Sequence, residues 1–197
     1  MATLSYAEPA IYMPGGFKEP DIAKYPITGG TTFNRGAFLT IASGLLTKPA
    51  GAVGTGIPTT GIVGLSNIDS TALYFSGIGG SVAEATPAAA NTQLFGYTTA
   101  TTALQPGLDF QGCPMSLAHN GQQYEVSLVQ AFAQNQIGVL GSIGVALDAA
   151  SGYYIADTSA TNKVATIVGE VDGPGKGTIG DFGKRVIIAF LPTVLAF

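Results

Sequence analysis

The chain has 197 residues, of which 46% are hydrophobic and only 10% charged, with 28 glycines, 11 prolines, one cysteine, one histidine and no tryptophan. A formal charge of -4 argues against a primary nucleic-acid binder, a lone cysteine excludes an internal disulfide framework, and the apolar content is enough for a sizeable core. Typical soluble domains carry roughly 25% charged residues, so a surface this poor in charge predicts cover by further copies of the chain or by a partner.

Residues 1–33 read as an extended arm. "MATLSYAEPAIY" lacks a basic start followed by an apolar run, so no secretory leader is expected. Pro9, Pro14, Pro20 and Pro26 recur at short intervals and forbid a helix of useful length. Between them stand Tyr6, Tyr12, Phe17, Tyr25 and Phe33, aromatic anchors on a segment that has no core of its own. The arm is expected to reach onto a neighbouring molecule in preference to lying across its own domain.

Residues 34–197 read as a β-rich domain. "AFLTIAS", "TGIVGLS", "ALYFSGI", "QLFGYTT", "QYEVSLV", "GYYIADT", "VATIVGEV" and "RVIIAFL" are short, rich in β-branched and aromatic residues, and bounded by turn formers. In "QYEVSLV", Tyr124, Val126 and Leu128 alternate with Glu125 and Ser127, which predicts a strand with one wet face. "SVAEATPAAANTQ" and "TTATTALQPG" read as long loops, and "QAFAQNQ" as a short helical turn after its strand.

The chain also repeats itself. "GAFLTIASGLL" from Gly36 and "GVALDAASGYY" from Gly144 share Gly, Leu, Ala, Ser and Gly at five matched offsets, 108 residues apart, and each is followed by "IVG", at Ile62 and Ile167. The order of strand, Ser-Gly turn, strand and IVG strand predicts one β-unit used twice, in lobes of about 34–110 and 137–197. The expected fold class is all-β: a closed barrel or a sandwich, or two small β-domains in tandem.

Chemistry is sparse. "VDGPGKGTIGDFGKR", residues 171–185, looks like a phosphate loop until the spacing is checked: a P-loop needs a glycine five residues before its Gly-Lys pair and a hydroxyl residue after it. Those places hold Glu170 and Gly177 for the first pair, and Thr178 and Arg185 for the second. The loop reads as a glycine-rich connection between two strands. One histidine, His119, and one cysteine, Cys113, make no zinc centre, and Asp172 and Asp181 flank the loop without the calcium-loop spacing. No cofactor or catalytic residue is assigned. Asp109, Glu125, Asp148 and Asp157 are the carboxylates a glycosidase would have to use, and Tyr74, Tyr97, Tyr153 and Tyr154 the rings a sugar would stack on. The apolar stretches "IGVLGSIGVAL" and "VIIAFLPTVLAF" are each about half a membrane span, so no membrane crossing is expected.

All eight basic residues (Lys18, Lys24, Arg35, Lys48, Lys163, Lys176, Lys184 and Arg185) lie towards the two ends of the chain. Drift in a charge-poor chain accounts for that; the sharper reading brings the two ends to one face, to meet an acidic partner.

"NRGAFLTIASGLLTKPAG", "TTGIVGLSNIDSTALY" and "GTIGDFGKRVIIAFLPTV" together resemble the β-rich decoration, or cement, proteins on the capsids of tailed bacteriophages. The likeness covers about residues 33–75 and 137–195. It implies a non-enzymatic virion protein on the capsid exterior, made in the host cytoplasm, that binds the major capsid protein as a homotrimer and clamps neighbouring capsomers. Greater length and the internal repeat set this chain apart from the smallest members. The expected capsid or subunit contacts are Tyr12, Phe17, Tyr25, Arg35, Lys184, Arg185 and Phe197, drawn from the arm, the basic ends and the tail "LPTVLAF". A β-sandwich fibre or adhesin domain that recognises host glycan is the alternative.

Overall fold

The computed structural model describes residues 9–13, 21–25, 31–67, 113–129, 137–173, 176 and 183–197. Eleven strands run through them: β1 (Ile11–Met13), β2 (Ile22–Tyr25), β3 (Phe38–Ala42), β4 (Leu45–Thr47), β5 (Ile62–Ser66), β6 (Cys113–Leu117), β7 (Gln123–Leu128), β8 (Gly144–Leu147), β9 (Tyr154–Asp157), β10 (Ala165–Glu170) and β11 (Arg185–Phe190), with a single 3-10 turn at Pro192–Val194. The fold is all-β. Two stretches read as strands, "ALYFSGI" and "QLFGYTT", the two long loops and "QAFAQNQ" lie outside the described residues.

The strands form two sheets. One has the order β10-β11-β7-β9-β8, with β1 paired to β7; the other runs β2-β6-β5-β3-β4. In the first sheet an isolated bridge joins Ile143, just before β8, to Ala165 at the start of β10, so the two outer strands approach and the sheet curls into a half-barrel. The outer edge of β8 is covered by the segment after Pro49: the Ile57 amide donates to the Val145 carbonyl and the Leu147 amide to the Gly51 carbonyl, both at 2.7 Å.

One hydrophobic cluster spans both sheets. At its centre Phe38 of β3 meets three rings of the other sheet edge-on: Tyr124 at 5.3 Å, Tyr154 at 6.0 Å and Phe190 at 4.9 Å between centroids. Such pairs add to the area term, each worth about 1 kcal/mol, and fix how the sheets face each other. The Tyr154 hydroxyl, carried into the core, donates to the Pro49 carbonyl at 3.1 Å.

The two copies of the repeat fold alike locally and connect differently. Each makes an antiparallel hairpin, β3–β4 and β8–β9. Ser43 and Gly44 both take positive φ, 51° and 79°, in a two-residue turn, the conformation that matches strand twist. In the second copy the loop is longer: the Asp148 amide donates to the Tyr153 carbonyl, and the Asp148 carboxylate accepts from the Ala150 and Ser151 amides and the Ser151 hydroxyl. Both IVG segments carry a β-bulge at the valine, with Val63 and Val168 the unpaired residues. β5 then pairs with its own hairpin through β3, whereas β10 pairs with β11.

The described parts of the arm do not leave the molecule. β1 adds to β7, with Tyr12 opposite Tyr124, and β2 adds to β6, with Tyr25 opposite Cys113. Ala10 and Phe33 are buried in the common core. The reason lies in β7: β9 pairs with it only at Ser127 and Leu128, so the other half of that edge has free amides and carbonyls, and Ile11–Met13 satisfies them. The tail does the same for the other sheet, where Leu195 bridges to Ile62 and the Ala196 amide donates to the Ile62 carbonyl.

Gly64 shows how tightly the second sheet closes. It sits at φ 154°, and a Cβ there would collide with the Ser116 carbonyl oxygen on β6. Gly64→Ala is expected to lower stability by about 3 kcal/mol in denaturant unfolding, whereas Gly44→Ala, whose Cβ would meet nothing within 4 Å, carries only the positive-φ cost of about 1 kcal/mol. Equal effects would contradict this packing.

Candidate functional site

Among the described residues, the richest concentration of charge lies where the chain enters β11, around Lys176, Lys184 and Arg185. Adjacent residues on a strand point to opposite faces, so Lys184 and Arg185 part company. Lys184 turns towards the end of β10: its Nζ donates to the Val171 carbonyl at 2.9 Å and to Asp172 Oδ1 at 3.1 Å, and lies 3.3 Å from Glu170 Oε2. Arg185, opposite Ser127 on β7, spreads its guanidinium across β7's polar face. Nε donates to Glu125 Oε1 at 2.8 Å, Nη1 to Ser127 Oγ at 3.0 Å, and Nη2 to the carbonyls of Glu125 and, 176 residues away in the arm, Pro9 at 3.1 Å. Lys176 Nζ reaches the same Glu125 oxygen at 2.8 Å.

This arrangement revises three readings of the sequence. Glu125 and Ser127 do not form a wet face: every residue of β7 after Gln123 is buried, because Arg185 and the arm cover the polar side. Lys184 and Arg185, expected to be contacts for a partner, are 1% and 0% exposed. A guanidinium taken out of water needs its donors met, and Glu125, Ser127 and two carbonyls meet them. The ends of the chain do come together, since Arg185 holds Pro9 and Tyr25 stacks on Phe197 at 6.0 Å, and three of the basic residues, Lys176, Lys184 and Arg185, meet the chain's own carboxylates. The phosphate question is answered in the same way: the ammonium groups of Lys176 and Lys184 are engaged by Glu125 and by Asp172 and Glu170.

Burial alone would push the Glu125 carboxyl up, but the hydrogen bonds and charges of Lys176 and Arg185 outweigh it and hold the group below its usual 4.5. Burial also pushes the Cys113 thiol up to about 12, leaving it protonated and unreactive at neutral pH. His119 Nε2 lies 3.0 Å from Asp21 Oδ2, a half-exposed pair that ties the β6–β7 turn to the residue before β2. Asp157 and Asp148 are engaged by their own turns and loops: Asp157 accepts from the Gly54 and Ser159 amides at 2.6 and 2.8 Å, and Asp148 is held low chiefly by the Ser151 hydroxyl. Asp109, Asp181 and Phe17 lie outside the described residues. Among the described residues no group of three or more His, Cys, Asp or Glu side chains could hold a metal ion.

Of the remaining expected contacts, Arg35 and Phe197 are exposed, whereas Tyr12 and Tyr25 are partly buried against the core. The structure adds apolar side chains that the sequence reading passed over: Leu140 is 80% exposed, Ile22 63%, Val139 49%, Val53 47%, Ile11 47% and Val168 38%. The signal for the first lies in "IGVLGSIG", where glycines on both sides of Val139-Leu140 mark a turn with an apolar tip. Comparison with family models, with curated proteins and with solved structures finds no match.

Because the Glu125 carboxyl is depressed in the fold, its stabilisation is fully present above about 4.5 and is lost as pH falls through the folded value. Thermal melts are therefore expected to drop below pH 4.5, and Glu125→Ala is expected to cost roughly 3 kcal/mol at pH 7 by stranding Arg185 and Lys176, with a flatter acid limb than the parent. A variant as stable as the parent at pH 7 would show that the pair holds nothing.

Proposed function

We propose that the chain is a structural virion protein that lies on the outside of a tailed-phage capsid as an oligomer, a homotrimer, and stabilises contacts between subunits of the major capsid protein. The observation that carries the reading is the surface: an all-β body with 10% charged residues that keeps Leu140, Ile22 and Phe197 mostly in water. Side chains of that kind stabilise a protein when they are covered, and each modest contact is multiplied when several copies bind one lattice. The described charges near the chain ends are largely absorbed internally, so attachment rests on apolar and backbone contacts, with Arg35 and Phe197 the exposed members of the expected set. The glycan reading is the weaker one, because Tyr154 is in the core and Tyr153 is partly covered.

The test is co-sedimentation of the purified chain with intact phage shells from the same source, followed by locating its density on the particle. Binding is expected to survive several hundred millimolar salt, since few phosphate-like or acidic contacts are involved, and Phe197→Ser with Arg35→Ala is expected to weaken it by at least about tenfold. Absence from shells of every preparation, with recognition of glycan in its place, would overturn the proposal.

A further inference from the structure

The turn at Val139-Leu140 is held firmly for so exposed a feature. Gly138, φ 78°, donates its amide to the Ile167 carbonyl at 2.7 Å, and Gly141, φ 60°, donates to the Thr166 hydroxyl at 3.0 Å. Both feet of the turn are thus fixed to β10, and a Cβ on Gly141 would touch Leu191. One residue along β10 from Ile167 is the bulged Val168. Its counterpart in the other IVG segment, Val63, is fully buried, whereas Val168 is 38% exposed. Two separate devices, a pinned turn and a bulge, therefore present aliphatic side chains at one place on the surface.

Charge decides what covers them. No charged residue occurs between Glu125 and Asp148, and the charge nearest Val168 on β10, Glu170, is only 18% exposed and lies against Lys184, so the patch offers little by which a charged partner would be chosen. Around a rotation axis each residue faces its own copies, and any charge there would meet a like charge; an uncharged tip is suited to that position. We infer that Val139, Leu140 and Val168 form the contact between copies of this chain, with the Leu140 tips converging on the symmetry axis of the oligomer. The inference rests on the oligomeric part of the reading above, and working without capsids separates its failure from failure of capsid binding. Three aliphatic side chains fall well short of the roughly 800 Å² per partner of a tight interface. The free oligomer is accordingly weak, with a dissociation constant on the order of 10 µM or above.

Sedimentation of the full chain from about 1 to 300 µM is expected to show reversible association, and Leu140→Asp to weaken it at least about tenfold while the melting temperature stays put. Leu140→Cys provides a second readout, because the one native thiol, Cys113, is buried. Under mild oxidation it is expected to form interchain disulfides much faster than Val53→Cys, which places an exposed thiol on the segment beside β8. A monomer across the whole range, association indifferent to Leu140→Asp, or equal crosslinking of the two cysteine variants would overturn the inference.

Discussion

A guanidinium with no access to water must be surrounded by acceptors, and the satisfaction of Arg185 organises much of this molecule. Its position on β11 is set by the ladder to β7, which brings it beside Ser127 and diagonal to Glu125. Its remaining reach is filled by the Pro9 carbonyl, so the same side chain that covers the polar face of β7 also holds the start of the arm. Glu125 and Lys176 complete the balance of charge, and Lys176 in turn ties the glycine connection to the sheet. Desolvating these ions costs several kcal/mol each, and the pairing offsets that only while every member stays in place. What results is a specific closure of arm, loop and sheet more than a large net stabilisation.

The two ends of the chain play equivalent parts in opposite sheets. The arm completes the edge of β7, and the tail completes the edge of β5 at Ile62. Ile11–Met13 and the residues Leu195 and Ala196 thereby cover backbone that would otherwise stand open, which is how natural sheets avoid pairing with strangers. The ring cluster around Phe38 then joins the sheets through side chains, in a core to which both repeats, Ala10 and Phe33 of the arm and Val194 of the tail contribute.

Much of this could be read from the residues. Short runs of β-branched and aromatic residues bounded by turn formers located β3, β5, β7, β9, β10 and β11, and the repeat located the β3–β4 and β8–β9 hairpins with their turns. β6 was missed because Pro114 argues against a strand, yet Pro114 stands where the β5 ladder, ending at Ser66 and Met115, has stopped asking for an amide. β1 and β2 were missed because the prolines that make the arm extended say nothing about which strand it will join. Arg185 was misplaced for a related reason. Its burial depends on acceptors from Glu125, Ser127 and Pro9, brought together from distant parts of the chain, and no local pattern announces them. The bulged valines were equally opaque: "IVG" is the same at both places, and only packing makes Val63 core and Val168 surface.

Lys176, Lys184 and Arg185 are paired within the molecule, so the contacts proposed above fall to uncharged surface, and that division depends on the arm being held by Arg185. Hydrogen exchange of the segment 9–13, read by mass spectrometry in the parent and in Arg185→Leu, examines this directly. The account predicts amides protected for minutes or longer in the parent and exchanging at the rate of open chain in the variant, while the peptides of β3 and β5 stay protected in both. Unprotected arm amides in the parent, or arm protection untouched by the substitution, would contradict it.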